Sequence, residues 1–263
     1  MIARQWQQED RSQNMERLYA GNPDYREKWA RTQDDGFRAE EERLVKQYCK
    51  RLGGSVLNIG CGAGRESFAF YRAGFRTICG LDCTEALLSM ARETACEKGM
   101  KIDFRLGSAV SLPFAPGQID YVTVFENVLG HITPRSERRK VFAECARVLK
   151  SDALLFIIAN EVQYPSRDWF CIRLLDILRW VHNPAQLEAG DVPMNGSSSR
   201  ISPHHSDPVS HWFSPDEIGS DAARANLSTV EVAQLSWRQR IAHANYRTYV
   251  FRSASRPPTD ETA

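Results

Sequence analysis

The stretch that most constrains the fold is NIGCGAGRES, which runs from Asn58 to Ser67. Its glycines at 60, 62 and 64 directly follow an apolar run at 56–59. Glycine tolerates backbone conformations that other residues avoid, and it lets another molecule approach the chain closely. A helix that starts after such a turn presents unpaired N–H groups, which suit an anionic group. The stretch predicts a strand, a tight turn and a helix with a ligand against the turn. A tight turn without a ligand is the alternative.

The chain around this stretch alternates short apolar segments with amphipathic ones. Period-two and helical spacing predict strands at 55–59, 76–81, 102–106, 120–126 and 153–159. The same patterns predict helices at 64–73, 84–98 and 134–149. Thr133 is the expected N-cap of the last helix, with Pro134 at its first position. Repeated strand–helix units indicate an α/β fold with a parallel sheet that is covered on both faces.

The pattern changes after residue 160. The segment 166–182 is expected to be a helix that is apolar around much of its circumference, and 183–212 to be a long loop. A helix at 214–226 and an antiparallel hairpin of strands at 228–235 and 246–252 close the domain. We expect 1–35 to be a partly helical extension, 36–253 the main domain with 160–212 as an insertion capping its pocket, and 254–263 a flexible tail.

Composition excludes several classes of protein. The chain has 263 residues and a net charge of +1, from 34 basic and 33 acidic residues. This balance argues against a broad nucleic-acid surface. No apolar run approaches the length of a membrane span, and the charged N-terminus does not resemble a secretory signal. The seven cysteines include no C-x-x-C pair, which predicts reduced thiols, a cytoplasmic location and no metal site.

An acidic residue at the end of the second strand suggests the ligand. Asp82 lies 22 positions beyond Gly60, in ICGLDCTEALLSMA. A carboxylate at that place can accept hydrogen bonds from both hydroxyls of a ribose, so the combination predicts a cofactor that contains adenosine. The dinucleotide pattern G-x-G-x-x-G has a longer gap before its third glycine than this chain has.

A further stretch, FRLGSAVSLPFAPGQIDYVTVFENVLGHI at 104–132, completes an ordered set of motifs. Together with the glycine loop and Asp82, it resembles the class I S-adenosylmethionine-dependent methyltransferases over roughly residues 50–160. The resemblance implies a Rossmann-like three-layer sandwich with a seven-stranded, mostly parallel sheet and an antiparallel last strand. An N-terminal helical extension and an insertion after strand five would be added to that core.

The resemblance also implies roles for individual residues. Those that it places at the cofactor are Asn58, Gly60, Cys61, Gly62, Asp82, Cys83, Ser108, Ala109, Phe125 and Glu126. Asp82 would bind the ribose hydroxyls, and Ser108 with Ala109 would read the adenine edge. Asn58 and Ser108 depart from the family, which usually has an acidic residue at both places. We therefore expect lower cofactor affinity rather than its loss.

Other residues are candidates for the acceptor side. His131 matches the histidine of the family's L-x-H stretch, and a histidine there could act as a general base or simply pack. Tyr25 and Trp29 could fold over the cofactor, and Trp169 could line the acceptor pocket or belong to a homodimer surface. His211 is a candidate at the pocket edge. The cluster Arg135, Arg138, Arg139 and Lys140 is interpreted as the solvated face of its helix.

The function expected from these features is transfer of a methyl group from S-adenosylmethionine to oxygen, nitrogen or carbon of a small molecule. Three alternatives remain open. GDVPMN and HWFSPDEI are similar to a group of methyltransferases that act on wobble uridines of tRNA. A nicotinamide-dependent oxidoreductase also uses a glycine loop and an acidic residue. The departures at Asn58 and Ser108 would suit a non-catalytic module that binds the cofactor or a partner.

Overall fold

The computed structural model describes residues 23–162, 167–181, 187–193, 209–233 and 246–255. Its helices are α1 Pro23–Thr32, α2 Ala39–Tyr48, α3 Arg65–Arg72, α4 Glu85–Glu97, α5 Arg135–Val148, α6 Arg167–Val181 and α7 Glu217–Arg224. A short 3₁₀ helix spans Val128–His131. The strands are β1 Ser55–Ile59, β2 Thr77–Asp82, β3 Asp103–Leu106, β4 Ile119–Val124, β5 Leu149–Asn160, β6 Asp191–Pro193, β7 Val209–His211, β8 Leu227–Ala233 and β9 Tyr246–Ser253.

Seven strands form one sheet in the order β3-β2-β1-β4-β5-β9-β8. The first five are parallel to one another, and β9 runs antiparallel to both of its neighbours. The predicted sheet of seven strands with an antiparallel last strand is therefore confirmed. Chain order reverses between β1 and β4, and in open α/β sheets ligands bind at the carboxyl ends of the strands beside such a reversal.

Successive side chains along each strand point to opposite faces of the sheet, and apolar residues bury both faces. On β5, Leu155 and Ile157 belong to one apolar cluster, and Leu154 and Phe156 belong to the other. The first cluster packs against α5 and α7, and the second packs against α2 and α3. Because helices cover both faces, the central strand β4 is buried along its whole length. This rigid layer fixes the ends of β1, β2 and β4, where the candidate site lies.

Two local predictions differ from the structure. Helix α5 begins at Arg135, and Pro134 rather than Thr133 is the N-cap, because the ψ angle of −179° at Pro134 is extended. In the segment predicted to be a long loop, β6 and β7 pair as an antiparallel two-stranded sheet. These strands have three residues each, so they carry no periodic pattern that a sequence can show.

No helix in the described part of the chain combines the length and apolarity needed to span a membrane. Helix α6 nonetheless presents apolar side chains to solvent, and Phe170, Leu174 and Ile177 are exposed.

Candidate functional site

The glycine loop after β1 is held by the neighbouring strand. The N–H groups of Gly60 and Cys61 both donate to the carbonyl of Leu81, at 2.7 and 3.1 Å. Gly60 and Gly62 have φ angles of 71° and 51°, in the left-handed region that favours glycine. A Cβ at Gly60 would lie 2.4 Å from Val128 Cγ2, so this glycine is needed for packing. At Gly62 the nearest atom would be Leu87 Cδ1 at 3.8 Å, so the loop there borders open space.

Paired glycine variants should separate folding from binding. Gly60→Ala is expected to lower the free energy of unfolding by about 2–5 kcal/mol, because it adds both a clash and an unfavourable φ. Gly62→Ala is expected to cost about 1–2 kcal/mol, because only the backbone is strained there. Gly62→Ala should nevertheless weaken ligand binding, because its methyl group would occupy the space at the loop. Denaturant unfolding measures the stability of both variants, and ligand titration measures their affinity. Equal stabilities of the two variants would contradict the prediction.

Asp82 at the end of β2 joins the strand to the loop. Its Oδ2 accepts the Gly62 N–H at 2.8 Å, and its Oδ1 accepts the Thr84 N–H at 2.9 Å. Burial raises the pKa of Asp82, and these backbone donors partly offset the rise. The Thr84 hydroxyl and the Cys83 N–H also donate to this carboxylate. Asp82 is thus fixed in place beside the loop by donors from its own turn and from Gly62.

The loop and Asp82 form part of the wall of a cavity of about 260 Å³ at the carboxyl ends of β1, β2 and β4. Ten residues predicted at the site line it: Trp29, Gly60, Cys61, Gly62, Asp82, Cys83, Ser108, Ala109, Glu126 and His131. Gln33, after helix α1, donates from Nε2 to the carbonyl of Ala63 at 2.8 Å and so ties the N-terminal helix to the loop. Burial raises the pKa of the Cys61 thiol well above its usual range, which favours its role as a packed apolar residue.

Four predicted site residues lie outside the cavity lining. The Asn58 amide donates to Ser67 Oγ and accepts from Thr123 Oγ1, both at 3.1 Å, so it serves the core. Phe125 is 2% exposed and packs in the second apolar cluster. Trp169 packs edge to face on Phe170, and His211 belongs to a buried ion network. The side chain of Tyr25 lies outside the described part of the structure.

Sequence reasoning missed Glu66, which lines the cavity from the first turn of α3. Arg65, 3% exposed, pairs with Glu41, Glu66 and Glu126 at 2.8, 2.6 and 3.2 Å, and Arg38 pairs with Glu126 at 2.8 Å. Burial raises the pKa of Glu66 to about 7, and the opposing effect of Arg65 is smaller. Three carboxylates therefore share two guanidinium groups behind the glycine loop. Glutamate is common in the first turn of a helix, so nothing in the sequence around Glu66 marks it as a site residue.

The loop after β4 has an unusual backbone. Glu126 and Asn127 have φ angles of 52° and 59°, which non-glycine residues rarely adopt. Asn127 compensates with its side chain, because Nδ2 donates to Ser210 Oγ and Oδ1 accepts the Asn160 N–H, each at 2.9 Å. Such strain persists where the surroundings fix it, and it clusters at functional sites. The loop thereby aims Glu126 at the cavity and anchors the wall to β7.

A buried ion network lies behind the adjoining wall. Arg138, predicted to be solvated, is 1% exposed and pairs with Glu188 at 3.0 Å and Glu217 at 3.1 Å. His211 contacts Asp191 through Nδ1 at 2.7 Å and Glu217 through Nε2 at 3.1 Å. Glu188, Asp191 and His211 lie close enough to share a cation, but the Arg138 guanidinium already provides positive charge there. The network ties α5 to α7 and to the β6–β7 hairpin.

The His211 contacts predict a pH-dependent stability. Burial lowers the pKa of His211, but hydrogen bonds to Asp191 and Glu217 outweigh burial and Arg138, so the pKa is raised above 6.5. A raised folded pKa gives stability that is complete below pH 6.5 and is lost as pH rises through the folded pKa. The difference in unfolding free energy between wild type and His211→Asn should therefore shrink from about pH 6 to about pH 9. Urea unfolding across this range measures it, and a difference that grows with pH would refute it.

Comparison with known proteins indicates the class of protein to which this fold is similar. Residues 56–152 match the family described as a methyltransferase domain. The fold matches a structure of an S-adenosylmethionine-dependent methyltransferase from Methanosarcina mazei, with a TM-score of 0.66 and 18% identity, covering 84% of this chain and 100% of that one. The resemblance to methyltransferases is therefore confirmed over residues 56–152, and the structural match confirms the fold of that class.

Individual relatives each match less than half of the chain. The ubiquinone biosynthesis O-methyltransferase of Thiobacillus denitrificans is 36% identical over 115 residues, 43% of this chain and 47% of the relative. The methyltransferase YcgJ of Bacillus subtilis is 36% identical over 104 residues, 39% of each chain. The methyltransferase GfsG of Streptomyces halstedii is 30% identical over 122 residues, 44% of this chain and 42% of the relative. The chain thus spans less than half the length of each of these relatives.

Proposed function

We propose that this chain transfers a methyl group from S-adenosylmethionine to oxygen, nitrogen or carbon of a small molecule. The observation that carries the proposal is the charge of the cavity wall. Glu66, Asp82, Glu126 and Glu137 line it. Arg38, Arg65 and Lys140 pair with three of these carboxylates, but no lysine or arginine of the described residues lines the cavity itself. S-adenosylmethionine carries a cationic sulfonium, a cationic ammonium and one carboxylate, so its net charge is positive and an acidic wall favours it. A nicotinamide dinucleotide carries two anionic phosphates and would be repelled.

The residues present fit this cofactor. Asp82 lines the cavity at the end of β2, where its carboxylate can accept hydrogen bonds from the two ribose hydroxyls. Open space at Gly62 allows close approach of the methionyl part. Glu66, whose pKa is raised to about 7 by burial, would gain from a nearby cation, which favours its charged form. The Asn58 amide, committed to the core, takes no part.

The chemistry follows from positioning. When bound, S-adenosylmethionine supplies an activated methyl group on a sulfonium sulfur. The chain's own task is to orient the acceptor in line with that methyl group and to exclude water. Trp29 and helix α1 cover the cavity next to the loop, held there by Gln33. His131 also lines the cavity, and in this proposal it takes a proton from an acceptor O–H or N–H.

The acceptor is proposed to be small and not anionic. A multiply charged phosphate group would meet the acidic wall, which also disfavours the phosphate backbone of tRNA. The name of the ubiquinone biosynthesis relative supports an oxygen acceptor. That relative matches only 43% of this chain, so nitrogen and carbon acceptors are kept in the proposal. A non-catalytic module is the second candidate, and it predicts binding without turnover.

Calorimetric titration tests the cofactor directly. The purified protein is titrated with S-adenosylmethionine, S-adenosylhomocysteine and the reduced nicotinamide dinucleotides. We expect micromolar dissociation constants for the first two, about −8 kcal/mol, and no measurable binding of the dinucleotides. A screen of phenols, catechols and amines with a labelled methyl donor then tests turnover. Tight dinucleotide binding without binding of the sulfur compounds would overturn the proposal, and binding without turnover of any acceptor would favour the non-catalytic module.

A further inference from the structure

Glu137 has a carboxylate oxygen that the protein leaves unsatisfied. The residue lies in the first turn of α5, lines the cavity and is 9% exposed. Its Oε1 accepts a hydrogen bond from Lys140 Nζ at 2.8 Å. Its Oε2 is buried and has no hydrogen-bond partner among the described residues. Leaving a buried acceptor unpaired is unfavourable, and native proteins rarely do so. Because the residue also lines the cavity, a donor on a bound ligand would satisfy this oxygen.

Helix α5 is anchored to the segment that follows β3. Glu144 Oε2 accepts the Leu112 N–H at 2.6 Å, and Arg147 Nη2 donates to the Leu112 carbonyl at 3.0 Å. Glu137 and Glu144 are seven residues apart, so they lie on the same face of the helix, about 10 Å from each other along its axis. Ser108, four residues before Leu112, lines the same cavity as Glu137. Helix α5 therefore contacts this segment at Leu112, and Glu137 and Ser108 line the same cavity.

This segment is where the cofactor's adenine would be read, and its own acceptor is weak. Ser108 is exposed, and its Oγ accepts the Val110 N–H at 3.4 Å. A neutral hydroxyl oxygen is also a poorer acceptor than a carboxylate. The exocyclic amine of adenine presents two N–H groups. A carboxylate on helix α5 would provide the second N–H group with a stronger acceptor than the Ser108 hydroxyl.

We propose that Glu137 accepts a hydrogen bond from the exocyclic amine of the cofactor's adenine, and so supplies the carboxylate that the segment at Ser108 lacks. The inference rests on the proposed function, since it concerns the same cofactor. A first-turn glutamate also interacts favourably with the helix dipole and with Lys140. Those two interactions do not depend on the ligand, so a binding experiment separates them from adenine recognition.

The experiment compares S-adenosylhomocysteine with S-inosylhomocysteine, in which a carbonyl oxygen replaces the adenine amine. Wild type should bind the adenosyl compound about 10- to 100-fold more tightly, the range for a hydrogen bond to a charged group. Glu137→Ala should lose most of that preference, mainly through weaker binding of the adenosyl compound. Lys140→Ala is the matched control, because it removes the ion pair but keeps the carboxylate, and it should retain the preference.

Glu137→Gln provides a second test if the alanine variant does not fold. Glutamine keeps the shape and a neutral carbonyl acceptor, so the preference should fall about 3- to 10-fold rather than vanish. Thermal unfolding without ligand checks that both variants fold. Unchanged affinity and preference in folded Glu137 variants would overturn this inference and leave the proposed function intact. Failure of wild type to bind S-adenosylhomocysteine would instead overturn both proposals.

Discussion

Asp82→Ala is expected to weaken S-adenosylmethionine binding at least about 100-fold. The variant loses an acceptor for two ribose hydroxyls, and a hydrogen bond to a charged group contributes about 1.5–3 kcal/mol. It also leaves the N–H groups of Gly62 and Thr84 without the carboxylate that holds the loop against β2. Both losses act on the cofactor end of the cavity. Calorimetry with S-adenosylmethionine and S-adenosylhomocysteine measures the effect.

Two further variants make this result specific. Asp82→Asn keeps the shape and one acceptor oxygen, so its loss of affinity should be smaller than that of the alanine variant. Asp103→Ala removes an exposed aspartate on the adjacent strand β3, and it should leave affinity unchanged. If Asp82→Ala binds the cofactor as tightly as wild type, Asp82 does not contribute to cofactor binding.

Arg138→Met is expected to lower the free energy of unfolding by about 3–5 kcal/mol, the usual effect of removing one partner from a buried ion pair. The guanidinium is 1% exposed and pairs with Glu188 and Glu217, and it also donates to the Ile132 carbonyl at 3.1 Å. Methionine fills a similar volume without compensating these charges. The pKa of Glu217 is lowered to about 2, because His211 and Arg138 outweigh the effect of burial, so its charge persists at neutral pH.

Arg139→Met is the matched control. It lies next along α5, but its side chain is 42% exposed and pairs with Asp221 at 2.9 Å. Arg135 also pairs with that aspartate at 3.0 Å, so Asp221 would keep a partner. Because the Arg139 side chain is exposed and the buried Asp221 keeps Arg135, this variant should lose only about 1 kcal/mol. Denaturant unfolding compares the two, and equal losses would mean that the buried network adds no more than a surface pair.

The fold was predictable because its signals are local. Alternating apolar residues and helical spacing indicated each strand of the parallel half, and the bounds differ from the structure by one or a few residues. The short strands β6 and β7 were missed because three residues cannot show a period. The start of α5 shifted by one residue because Pro134 can be either an N-cap or a first helical residue, and its ψ angle decides between them.

The candidate site was predictable where a motif lies in one stretch of chain. Gly60, Gly62 and Asp82 were found from their spacing, and all three line the cavity. Asn58 was expected there because it precedes the glycines, yet its side chain points to Ser67 and Thr123. Position in a motif indicates where the backbone runs. It does not indicate which neighbour satisfies a polar side chain in the fold.

By itself, the sequence determined the parallel α/β architecture, the glycine loop at the end of β1 and the acidic residue at the end of β2. These depend on periodicity and on short separations along the chain. The tertiary structure decided that Arg138 is buried and that Glu137 faces the cavity. Arg138 meets Glu188 and Glu217 across 50 and 79 positions of sequence. Such partners are brought together by packing of the sheet and helices, and no local pattern encodes them.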